Sequence, residues 1–380
     1  MKKILIFSIL LFGLWACEKD YSLNTDFSVP TALYSPELVE INLSSGQMVE
    51  LFWEGGGAAD SSLVIYQVLI DKEGGDFSNP LDTLLSDLGG RARLNITHAN
   101  LNGLARRAGI EPQSTGKLVW TVITSKGGIT KSTNLVKEIS VLRPEGIDNF
   151  PTNLYLYGDA TENDGNGGLP FRMAAEGVFV IYTEIPVSGD VHFTSGASEE
   201  AFTYYADANG KLYEGTGSYA IEQGADPYRI TVDFNTLAIK TEIISDVRAI
   251  WGVNFEVIGS LDYIGEGVFQ AEDCQIIFVD PSRPETNPPG WLGWTEERYY
   301  FIANVDGTDL CWGRKDGVSA ERPTGVESLS FYAIGEFPWS QWDHLWKMSG
   351  ALDYKSCTIT INTNTQGLMV HQFSDVVPIN

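Results

Sequence analysis

Cysteine, histidine and basic side chains are all scarce in this 380-residue chain, and each scarcity removes a class of explanation. Its cysteines are Cys17, Cys274, Cys311 and Cys357. With Cys17 set aside three remain, so at most one disulfide can form, and a disulfide scaffold is excluded. No two of them have the spacing of a zinc ribbon. The histidines His98, His192, His344 and His371 are scattered, and no His-Glu-x-x-His helix is present, so no metal and no cofactor is expected. Lys and Arg total 25 against 50 Asp and Glu, a formal net charge of −25. Such a chain is repelled by phosphate backbones, which argues against nucleic acid as a partner and leaves neutral ligands unaffected. Gly-x-Ser-x-Gly elbows and phosphate-cradling glycine loops are missing as well.

Long apolar runs are missing too, with one exception. After Met1-Lys2-Lys3, residues Ile4 to Trp15 are apolar and lead into Ala16-Cys17. A short basic start, about a dozen apolar residues and a small residue before the cleavage point describe a secretory leader. The run stops well short of the roughly twenty residues that a membrane span needs. Leu14-Trp15-Ala16-Cys17 is similar to a bacterial lipobox, in which residues 1–16 are removed and Cys17 becomes the lipidated N-terminus. An ordinary leader cut near a cysteine is the alternative. Residues 17–26 then form a polar tether.

The chain beyond the tether reads as all-β. In residues 27–145 the segments Met48–Trp53, Leu63–Ile70, Lys117–Thr124 and Val136–Leu142 are short and rich in Val, Ile and aromatics, with paired glycines between them. One helix is expected, because Leu101, Leu104, Ala105 and Ala108 share a helical face that Thr97 caps and Gly109 ends. This pattern predicts an immunoglobulin-like β-sandwich. Arg143-Pro144-Glu145-Gly146 has linker composition. Two further β-sandwich modules are expected at 150–246 and 247–380. Tyr228–Thr236 before Leu237-Ala238-Ile239, and Cys357–Thr365 before Leu368-Met369-Val370, each read as a terminal hairpin, hence as a diverged tandem repeat. Two unrelated hairpins would give the same alternation.

Chemistry concentrates in the last module. Glu162–Gly168 resembles a calcium loop, but the bidentate position falls on Met173, so a polar turn is the better reading. Seven of the ten tryptophans lie from Trp251 onward. Trp291, Trp294, Trp339 and Trp342 stand close to turn-forming prolines, which places them on loops. Trp312 and Arg314 lie between these groups. An indole covers the apolar C–H face of a sugar, and Arg, Asn or Asp bonds its hydroxyl edge. Several of these rings are equally expected to fill the core.

These features together resemble the SusE/SusF family of outer-membrane glycan-binding lipoproteins. The resemblance rests on the lipobox with Glu18-Lys19-Asp20, and on Val49–Trp53, Tyr66–Asp71 with Phe77, and Leu101–Leu104 before Gly109. Leu154–Thr161, ending Gly-Asp-Ala-Thr, is similar to the opening of the family's glycan-binding modules. The resemblance implies a non-catalytic lipoprotein, anchored in the outer membrane and facing outward, which holds polysaccharide beside a SusC/SusD-type transporter. It implies glycan contacts by Trp312 and Arg314, with Trp291, Trp294, Trp339 and Trp342 as partners. A structural subunit or adhesin that binds a protein, and a glycoside hydrolase, are the competing readings.

Overall fold

The computed structural model describes residues 24–43, 45–147, 150–196, 201–252, 254–279, 295, 297–317, 322–340 and 342–379. Cys17, Trp291 and Trp294 therefore lie outside the described residues. The chain divides into two compact units, one through Glu145 and one from Gly146 onward. Strands dominate both.

The first unit packs two sheets face to face. One joins Pro30–Tyr34, Met48–Gly55 and Arg93–Thr97; the other runs Leu38–Glu40, Lys137–Leu142, Thr115–Lys126, Ile65–Lys72, Asp82–Leu85, with Ile129–Ser132 on Thr115–Lys126. Alternation along Met48–Gly55 sends Val49, Leu51 and Trp53 inward against Val68, Ile70, Trp120 and Val141. The helix His98–Arg107 bridges the sheets as expected. Thr97 caps it by accepting from the Asn100 N–H at 3.1 Å, and Leu101, Leu104 and Ala105 are buried. Arg143, expected in a linker, is buried instead. Its Nε donates to Asn102 and its Nη1 to the carbonyl of Ile110, fixing the last strand to the helix end.

In the second unit a small sheet joins Leu169–Pro170, Tyr155–Tyr157, Gly189–Thr194, Thr203–Ala206 and Leu212–Glu214, with Tyr219–Ile221 added to Gly189–Thr194. A larger sheet runs Arg172–Ala175, Val178–Thr183, Tyr228–Asp233, Ala238–Trp251, Val257–Tyr263, Val268–Ile276, Lys355–Thr365, Leu368–Pro378. Both expected hairpins are in this path, and both are antiparallel. Their surroundings repeat as well. Val178–Thr183 pairs with Tyr228–Asp233 just as Val268–Ile276 pairs with Lys355–Thr365, and in each case an excursion separates the two strands. The second excursion is Arg298–Val305, Thr308–Arg314, Ile334–Pro338 and Trp346–Lys347.

The expected boundary between 246 and 247 falls inside a continuous strand. Ala238–Trp251 pairs with Tyr228–Asp233 through residues 238–243, then with Arg298–Val305 through 244–251. One strand thus serves both halves, because its inward residues Ile244, Val247, Ala249 and Ile250 are as apolar as those of a core strand.

Candidate functional site

Among the described tryptophans of the last third, burial separates core from surface. Trp312, expected to touch ligand, is fully buried. Its ring meets Tyr182 and Phe269 edge-on, each at 5.7 Å between centroids, and its Nε1 donates to Glu336 at 3.1 Å. The strand Thr308–Arg314 is covered on both faces. Trp312 enters the main core, while Cys311 enters a second cluster with Ile250, Tyr300, Ile302 and Leu345. No face of Trp312 is open to a sugar. Trp346 is equally buried. Arg314 is mostly buried too: its guanidinium pairs with Asp316 at 2.6 Å and lies over Phe331 at 5.1 Å.

Trp339 and Trp342 behave differently, being 50% and 43% exposed. They follow Pro338, where the strand Ile334–Pro338 ends. The chain then returns across the second cluster and is fastened to Thr308–Arg314. The His344 carbonyl accepts from the Arg314 N–H at 2.7 Å, and its imidazole stacks on Phe337. The close approach requires Gly313, where a Cβ would meet His344 Cβ at 2.5 Å.

The loop presents its indoles in fixed positions. Trp339 donates from Nε1 to the Tyr300 hydroxyl at 3.0 Å. Burial pushes the Tyr300 phenol up to about 12, so it remains a neutral acceptor. Phe255 packs on Trp339 with 5.8 Å between centroids and is itself 43% exposed. Two residues before Tyr300, and so on the same strand face, Arg298 places its guanidinium 5.6 Å from the Trp342 ring centre. Phe255 also holds a φ of +61°, a strained conformation for a bulky residue. The patch therefore joins Phe255, Trp339, Trp342 and Arg298. Phe255 and Arg298 carry no local sequence signal for this role, since strand pairing alone brings them to the loop.

Two concave regions lie elsewhere in this unit. A cleft of about 760 Å³ is lined by Glu162, Asn163, Glu184, Tyr263, Glu266 and Asn362, among others. Burial raises the pKa of Glu162, but three donors hold its carboxylate: the Tyr263 hydroxyl at 2.8 Å, and the N–H groups of Glu266 at 3.1 Å and Glu184 at 3.3 Å. Glu162 thus ties three chain segments together, which is the structural work of a half-buried carboxylate held by three donors. Among the described residues no His, Cys, Asp and Glu group could hold a metal ion. The second region, about 450 Å³, borders Tyr205, whose ring stacks on Tyr213 at 5.4 Å.

Fold and site define a class: an all-β, multi-sandwich protein that displays half-exposed aromatic rings from a fastened loop. Its first unit is SusE-like. Residues 18–123 match the family described as SusE outer membrane protein. The crystal structure of SusF from Bacteroides thetaiotaomicron aligns over 92% of this chain and 100% of its own, at 9% identity and a TM-score of 0.27. An alignment that loose carries no argument. No curated protein matches the chain.

Proposed function

We propose that the protein is a non-catalytic, surface-exposed lipoprotein that binds a neutral polysaccharide through Phe255, Trp339, Trp342 and Arg298. Pairing of an exposed indole loop with a guanidinium is the observation that carries this reading. The rings cover sugar C–H faces and Arg298 donates to hydroxyls. Loop aromatics on a rigid sheet are well placed for binding. Support for the location comes from the leader-like residues 1–16 before Cys17 and from a first unit that matches an outer-membrane family. In this reading Cys17 carries the lipid, the modules face the exterior, and a SusC/SusD-type transporter takes up what they hold. Trp291 and Trp294, close in sequence to Arg298, remain candidates for the same surface.

Affinity electrophoresis of the soluble protein through gels containing neutral polysaccharides tests the proposal. A retarded band, restored to free mobility by Trp339→Ala combined with Trp342→Ala, is the expected result. No retardation by any polysaccharide, with a protein captured through the same patch instead, would establish the adhesin reading. Release of new reducing ends would establish a hydrolase.

A further inference from the structure

Three cysteines allow three pairings, and the fold distinguishes them. Cys274 on Val268–Ile276 and Cys357 on Lys355–Thr365 are directly opposed partners in an antiparallel ladder. Residues so opposed lie about 4.5–5.5 Å apart at Cα, inside the roughly 4.4–6.8 Å range that a disulfide spans. Both side chains enter the same core, beside Ala271, Ile276 and Ile359. Cys311 belongs to the other cluster, on the far face of a different strand pair. A bulge directs Cys274 inward: pairing shifts between Ala271 and Cys274, and Asp273 takes a φ of +54°.

As thiols the two groups make only weak contacts. Cys357 Sγ lies 3.7 Å from the Cys274 carbonyl, and Cys274 Sγ lies 3.7 Å from the Ala271 carbonyl. The Cys274 sulfur leans over Gly259, where a Cβ would come within 2.4 Å. Gly259 thus accommodates the sulfur by lacking a Cβ. Val257–Tyr263 and Lys355–Thr365 flank Val268–Ile276 on opposite sides, so a bond to Cys357 requires the Cys274 sulfur to turn about its Cα–Cβ bond away from Gly259.

We propose that Cys274 and Cys357 are oxidised to a cross-strand disulfide as the exported chain folds, and that Cys311 stays a thiol. Each thiol loses its proton, one S–S bond forms, and two electrons pass to a protein disulfide of the thiol-oxidase class, which leaves as a dithiol. Both sulfurs are buried in the folded unit, so the bond must form before the core closes. The bond would lock the terminal hairpin Lys355–Thr365 and Leu368–Pro378 onto the sheet. It rests on the export reading for its oxidant in the cell but not for its geometry.

Two experiments separate these. The soluble protein is reduced, denatured and refolded with oxidised and reduced glutathione, then alkylated under denaturing conditions and mapped as peptides without reduction. A Cys274–Cys357 peptide pair, with alkylated Cys311, is expected. The oxidised form should also unfold at a higher denaturant midpoint than the reduced form. Pairing through Cys311, or three alkylated cysteines, would overturn the assignment. The same map on protein recovered from the native membrane should show the pair; its absence there, with the pair present on refolding, would reject oxidation in the cell and with it the export-linked half of the proposal.

Discussion

Replacing Trp312 and Trp339 in parallel tests the division between core and surface. Trp312 is fully enclosed by Tyr182, Phe269 and their neighbours, so Trp312→Ala opens a cavity of nearly a whole indole. Such truncations cost about 3–5 kcal/mol. The change also deprives Glu336 of the Nε1 donor. Against a domain stability of roughly 5–15 kcal/mol, the loss should be plain in a denaturant titration. Trp339 is half exposed, so Trp339→Ala forfeits one hydrogen bond and part of one packed face, about 1–2 kcal/mol. Its effect on binding is larger in proportion. An aromatic side chain offers about 150–250 Å². If a sugar covers roughly 50–100 Å² of the open half, the contact contributes about 1.3–2.5 kcal/mol at about 25 cal/mol per Å². That converts to about tenfold to seventyfold in dissociation constant. Urea midpoints report the first quantity and affinity electrophoresis the second. Loss of retardation in Trp312→Ala at the wild-type midpoint would refute this division between core and surface, because Trp312 would then contact ligand.

Acid sensitivity provides a second test. His371 is enclosed by Tyr299, Trp346 and Tyr332, and burial lowers its pKa from 6.5 to about 3. Between those values the unfolded chain binds a proton that the native state refuses, so stability rises with pH. The group's contribution is complete above about pH 6.5 and is lost at about 1.4 kcal/mol per pH unit as pH falls toward about 3. Stability profiles of wild type and His371→Gln should therefore converge on acidification; parallel profiles would refute burial of a neutral imidazole. A third test concerns the continuous strand. Fragments 146–246 and 247–380 each cut Ala238–Trp251 and expose Ile244 or Val247, so neither should unfold cooperatively, whereas 146–380 should. Calorimetry decides, and a sharp transition in 146–246 would restore the boundary at 246.

Local features were legible in the sequence because their causes are local. Thr97, Leu101, Leu104, Ala105 and Gly109 specify a helix with its cap, face and stop within thirteen residues. Val49, Leu51 and Trp53 alternate, and all three point inward. The hairpins at 228–251 and 355–378 need only alternation and a turn. The polar stretch Asn163–Gly168 forms a turn, with Gly165 and Gly167 at positive φ. Burial of Trp312 was not legible, since alternation assigns one face of a strand to solvent, whereas Thr308–Arg314 is covered on both. Arg143 read as linker because its partners Asn102 and Ile110 are remote in sequence. The same holds for Phe255 and Arg298, which reach the indole loop only through the pairing of Ala238–Trp251 with Arg298–Val305.

That non-local assembly is also the strongest reason to place function on this patch. A chain selected for stability alone would bury Trp339 and Trp342 as it buries Trp312 and Trp346. Here it holds Phe255 and His344 in left-handed conformations, each costing of order 1–3 kcal/mol. Gly313 is reserved so that the loop can lie flat, and the Tyr300 hydroxyl orients an indole that remains half in water. The strain, the reserved glycine and the orienting bond fall within the indole loop, the turn that carries Phe255 and the strands beneath them. Their combined effect is to present aromatic faces in fixed positions, which lowers the ordering entropy that a ligand would otherwise have to overcome. Trp312 stands on the strand that carries Gly313 with its ring enclosed in the core, so under the proposed function its part is to hold the platform rather than to touch the ligand.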